Sequence, residues 1–178
     1  MSRFIRFRTF LAVVLGVFAT APAFAANPAT ISVTVTIQNL SVSASGPIAF
    51  GTVIAGSETV SGGASTITND GNVVETMSLS LTNPGSWTAV SAAPGAEGYA
   101  LLAQFKATAP TAASFTYANH ALTTSSVASS ATKFAGDQTG VSMAVAATRS
   151  LWFRFNAPTS TAVTTQQTIS VTVTASAG

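Results

Sequence analysis

The chain has 178 residues, of which 47% are hydrophobic and only 7% are charged. Ordinary domains carry about 25% charged residues, so this surface is built from apolar and hydroxyl groups, and hydrophobics in periodic segments exclude disorder. Three of the seven cations (Arg3, Arg6, Arg8) crowd the N-terminus; the other four (Lys106, Lys133, Arg149, Arg154) face five acids, which leaves no basic patch for phosphate neutralisation of a nucleic acid.

The three arginines open a secretory pattern. An apolar run, Phe10 to Phe18, follows them, and Ala23-Phe24-Ala25 supplies a small-residue exit. Positive start, short apolar middle and A-x-A exit describe a signal peptide. The apolar run is too short to span a bilayer, which takes about 20 residues. Residues 1–25 are therefore expected to be cleaved after Ala25, leaving residues 26–178 as one domain in the periplasm, at the cell surface or outside the cell. A chain of that length can bury its own core. No cysteine is present, so neither a disulfide framework nor a lipoprotein anchor is expected.

Strict alternation then sets in. In Ile31-Ser32-Val33-Thr34-Val35-Thr36-Ile37 the branched residues fall on one face and the hydroxyls on the other. Period 2 predicts a half-buried strand. The same pattern recurs in Met77 to Thr82 and in Ile169 to Thr174. Leu101, Ala103 and Phe105 alternate inward within Tyr99 to Lys106. Leu151, Phe153 and Phe155 do so within Leu151 to Asn156, turning Trp152 and Arg154 outward. The expected core comprises Val33, Val35, Phe50, Leu79, Leu81, Phe105, Phe153, Phe155, Val171 and Val173.

Turn chemistry separates the runs. Asn69-Asp70-Gly71-Asn72, Asn83-Pro84-Gly85 and Ala93-Pro94-Gly95 tolerate the backbone angles of tight turns. Ala157-Pro158 ends the Trp152 strand, because proline cannot continue a central ladder. The stretch from Pro110 to Asp137 is rich in Ala, Ser and Thr; long loops are expected there, with short strands around Phe115-Thr116-Tyr117. No long segment has a helical period. Several short strands with recurrent turns predict an all-β, two-sheet antiparallel sandwich.

Thr30 to Thr36 and Thr168 to Thr174 are the same seven residues, TISVTVT. One explanation is convergence on a good strand pattern. The other is that both ends occupy similar edge positions, making Ile31, Val33, Val35, Ile169, Val171 and Val173 candidate assembly residues. Edge strands offer unpaired N–H and C=O groups to another chain, and neither segment carries the lysine that commonly protects an edge.

The run Ile67-Thr68-Asn69-Asp70-Gly71-Asn72 followed by the alternating Val73 to Thr82 resembles the signature of bacterial immunoglobulin-like surface domains. Ala49-Phe50-Gly51-Thr52-Val53 upstream, and the pair Leu151 to Pro158 and Gln166 to Ala175 downstream, fit that layout. The resemblance implies an immunoglobulin-like sandwich. The leader with its first strand also resembles camelysin-type biofilm-matrix fibre proteins. Peptidoglycan-binding WxL domains are a more distant likeness, and Trp152-Phe153-Arg154 lacks their tripeptide.

Site chemistry is sparse. The one histidine, His120, sits beside Asn119 in what reads as a solvated loop, with no nucleophile or orienting partner in view. Zinc ligands are too few for a structural site. Asp70 and Glu75 flank one turn and read as a turn aspartate and a surface glutamate. Glu58, Glu75, Glu97 and Asp137 show no spacing that favours a glycosidase pair. Asn39-Leu40-Ser41 matches the glycosylation pattern by chance on an expected strand. Trp87 is expected in the core, whereas Trp152, Arg154, Tyr99 and Tyr117 form a candidate contact surface for glycans. No cofactor is expected. The expectation is a non-catalytic structural or interaction protein of the bacterial envelope or matrix, partnered by itself through edge strands or by a polysaccharide.

Overall fold

A computed structural model describes residues 29–178. Residues 1–25, expected to be a signal peptide, and the expected cleavage after Ala25 lie outside these residues. The chain divides at Val35/Thr36 into two units.

In the first unit, residues 29–35 carry no assigned helix or strand, and Ile31, Val33 and Val35 are exposed. The expected first strand and the core places of Val33 and Val35 are thus corrected. Alternation prepares a segment for pairing, but a strand forms only beside a partner's backbone.

The second unit is all-β. Its elements are β1 (Val42–Ala44), β2 (Glu58–Val60), β3 (Ser65–Asn69), β4 (Glu75–Thr82), β5 (Thr88–Ala89), β6 (Gly98–Phe105), a 3-10 turn (Ala112–Ser114), α1 (Tyr117–His120), β7 (Val127–Ala128), β8 (Thr148–Asn156) and β9 (Ser170–Ala177). The larger sheet runs β1-β3-β8-β6-β5, with β2 also paired to β8; the smaller runs β7-β4-β9. Every pairing is antiparallel except β5 with β6.

The alternating strands pack as their patterns require. Met77, Leu79 and Leu81 of β4 are buried against Ile67, Leu101, Phe105, Leu151, Phe153 and Phe155 from the larger sheet. The turns fall where glycine and proline place them. Gly71 follows β3, and an added Cβ there would lie 2.6 Å from the Asn39 carbonyl oxygen and collide with the Glu75 carboxylate.

The outer face of β6 and β8 departs from expectation. All eight residues of β6 are buried, because residues 110–120 fold over that face. Ala100 and Leu102 pack there with Phe115, Tyr117 and Trp152. The Phe115 to Tyr117 stretch is no strand; it leads from the 3-10 turn into α1. Arg154 is buried rather than outward. Its Nη1 donates to the Ala112 carbonyl at 2.6 Å, it lies 3.5 Å from Glu58, and its guanidinium covers the Phe115 and Tyr117 rings. His120 is likewise buried, not solvated. Its Nδ1 accepts the Thr116 N–H at 2.8 Å, which leaves Nε2–H to donate to the Ala135 carbonyl at 3.1 Å. Glu75 is buried as well, accepting the Ser41 N–H at 2.8 Å on Oε1. That bond belongs to a clasp on the residues before β1. Asn72 accepts the Asn39 N–H and donates to the Ile37 carbonyl, each at 2.8 Å.

Candidate functional site

β1 pairs only with β3, and β9 pairs only with β4. Each is therefore the last strand of its sheet. Between these edges lies a cavity of about 1030 Å³. One wall is the stretch from Ala44 to Val53, and the other is Val163 to Ile169 with the start of β9. Phe153, Phe155 and Trp87 line its interior.

Two features characterise this groove. First, a long stretch of each wall is unpaired. Among the described residues, no backbone–backbone hydrogen bond engages residues 47–53 or 164–168. Second, the apolar residues on its rim are only half covered. Met77, Leu79 and Leu81 of β4 are buried, whereas Val171, Val173 and Ala175 on neighbouring β9 are half-buried despite the same alternation. Ile48, Phe50 and Val53 on the opposite wall are half-buried too. An additional strand would cover both sets and satisfy the open backbone groups.

An aromatic cluster fixes the interior. The Phe50 and Phe155 rings lie 5.6 Å apart, and Tyr99 lies 5.9 Å from Phe155. A polar relay then ties the rim to this cluster. Trp87 Nε1–H donates to Thr161 Oγ1 at 3.0 Å, and the Thr161 hydroxyl donates to Glu97 Oε2 at 2.7 Å. Glu97 Oε1 accepts the Ala162 N–H at 2.6 Å. That amide first, and the hydroxyl second, hold the Glu97 carboxyl below its usual range. Glu97 adopts φ +54°, a left-handed conformation that costs a non-glycine residue about 1 kcal/mol or more. Its carboxylate bonds offset that strain.

The sequence-derived residues distribute unevenly. Ile169, Val171 and Val173 line the groove, and β9 is the last strand of its sheet. Trp152, Arg154, Tyr99 and Tyr117 do not form one exposed surface. Tyr99 is fully buried, donating to Asn83 Oδ1 at 3.0 Å, and burial pushes its phenol up to about 12. Arg154 is buried, while Trp152 and Tyr117 are half-buried in the second cluster. The Trp152 indole N–H is taken by the Lys106 carbonyl at 3.0 Å. The alternation behind this surface was real, but a loop without apolar periodicity covers it.

Trp87, Glu97 and Thr161 were not legible as a set. They are 10 and 64 residues apart, and only the fold brings them together. Among the described residues, no three His, Cys, Asp or Glu side chains gather as a metal-binding group, and no helix is long and apolar enough to cross a membrane. No family model, curated protein or solved structure matches the chain.

Proposed function

We propose that this chain is an exported, non-catalytic structural protein of the bacterial envelope or extracellular matrix. On this reading it is an immunoglobulin-like sandwich lacking one strand, which associates by accepting a strand into the gap. The observation that carries the reading is the apolar groove between β1 and β9, with unpaired backbone on both walls. Three further features agree with it: the secretory pattern in residues 1–25, the 7% charge content and the absence of edge lysines.

The test uses the processed chain, residues 26–178. Sedimentation velocity across a concentration series, with electron microscopy of the same samples, should show ordered higher species. Monodisperse single subunits at every concentration would overturn the proposal. Mass spectrometry of the exported product checks the export half separately. A chain beginning at Ala26 is expected, and an intact N-terminus would refute cleavage.

A further inference from the structure

We infer that the occupant of the groove is the Thr30–Ile37 segment of a second copy of this chain, inserted with Ile31, Val33, Val35 and Ile37 toward the groove floor. This inference rests on the reading that the groove accepts a strand, and adds which strand and from where.

The segment has the properties of a strand without a partner. Ile31, Val33, Val35 and Ile37 are 85%, 81%, 81% and 78% exposed, half of the eight large exposed hydrophobics among the described residues. Each lies two positions from the next, so all four enter one face when the segment is extended. The intervening Ser32, Thr34 and Thr36 then face water.

The groove matches that segment in length, charge and chemistry. Eight extended residues span about 26 Å, and the groove wall from Gln166 to Val173 is itself eight residues long. No charged residue lines the groove, and none lies between Ala26 and Leu40, so insertion strands no charge. The seven-residue identity with Thr168–Thr174 now gains a physical meaning. Ile169, Val171 and Val173 already pack this sequence pattern against this core, and the donor would present the same side chains in the same phase.

The exposure of the donor favours a second copy, for Ile37 belongs to the same unit as the groove and is not covered by it. Ile37, Asn39 and Ser41 are bonded to Asn72 and Glu75, and Glu75 lies opposite Ala177 at the C-terminal end of β9. The groove instead flanks the N-terminal half of β9. A head-to-tail contact that does not close generates an open chain of subunits.

The experiment uses residues 26–178 throughout. Val33→Asp/Val35→Asp places two charges in the apolar phase of an exposed segment, and Ser32→Asp/Thr34→Asp places the same charges in the hydroxyl phase. A third variant, Ile48→Asp, charges the groove wall while keeping the segment intact; should it fail to melt cooperatively, the exposed Ala49→Arg on the same wall replaces it. Sedimentation velocity is expected to show at least a hundredfold rise in the association midpoint for the apolar-phase pair, and less than about threefold for the hydroxyl-phase pair. The groove variant should also stay single alone. Mixed in equal amounts, the apolar-phase and groove variants should form a dimer that grows no further, because each supplies the one half the other lacks. Unimpaired assembly of the apolar-phase pair beside a monomeric groove variant would overturn the occupant while leaving the strand-accepting groove standing. Unimpaired assembly of both would overturn both readings. A parent chain that stays single, and melts lower when Val33 and Val35 are charged, would mean that the segment closes its own groove, and the second copy would be ruled out.

Discussion

The indole of Trp87 stacks on the ring of Phe155, with centroids 6.0 Å apart and planes inclined by 27°. Both rings line the groove, so Trp87 senses whether it is filled. In a Trp152→Phe variant, where Trp87 is the sole indole, emission should move to shorter wavelength and lose iodide quenching as the protein is concentrated into its associated form. Emission and quenching that stay constant through association would place the contact elsewhere.

Phe153 is buried between the sheets. Phe153→Ala should lower stability by about 3–5 kcal/mol, the range for truncating a buried aromatic. Denaturant unfolding of the apolar-phase variant, which keeps the core without association, measures this cleanly. A loss below about 1 kcal/mol would contradict the packing described for β8.

Burial lowers the His120 imidazole below its usual value. The Thr116 N–H aimed at Nδ1 acts in the same direction, because a proton there would face it, while the Nε2–H bond to Ala135 acts against burial. The unfolded chain therefore takes up the proton first as pH falls. The stabilisation is fully present above about pH 6.5, the unfolded value, and declines as pH falls toward the lower folded value. Melting temperature should drop between pH 7.5 and 5 in the parent, and less steeply in His120→Gln. Parallel curves for the two proteins would show that His120 does not titrate differently on folding.

For Glu97 the sign is carboxylate-like. Its folded value is lowered by the Ala162 amide and the Thr161 hydroxyl, so its contribution is present above the unfolded value and is lost as pH falls through the folded one. Glu97→Gln should melt below the parent at neutral pH and converge with it in acid. Trp87 emission should shift over the same pH range, since Thr161 links the two side chains. A stability difference unchanged down to pH 3 would detach the relay from the rim.

Much of the fold was legible in the sequence, for a definable reason. Met77, Leu79 and Leu81 alternate against a single buried face, and one-sided burial writes itself into period 2. Asn69-Asp70-Gly71 and Ala157-Pro158 mark their breaks through backbone chemistry that does not depend on neighbours. Arg154, Tyr99 and His120 were not legible. Their surroundings come from residues 110–120, which approach β6 and β8 through chain topology rather than through a repeating pattern. Glu75 misleads for a related reason: a carboxylate beside a turn looks solvated until Ser41 and Gly71 close over it. The groove stands between these cases. The alternation of Ile31 to Ile37 was visible, but whether any strand lay beside it was not.

The pairing of β4 with β9 has a kinetic side. Leu79 stands opposite Val173, 94 residues later in the chain. The smaller sheet cannot be completed until nearly everything between has been synthesised, and such distant closure is entropically costly. Domains dominated by non-local strand pairs fold in about milliseconds to seconds, orders of magnitude slower than helical bundles. During that interval Met77, Leu79 and Leu81 have no strand to cover them, and the chain remains a loose polymer rather than a finished body. Slow closure therefore sets how long the apolar face of β4 stays open to other chains.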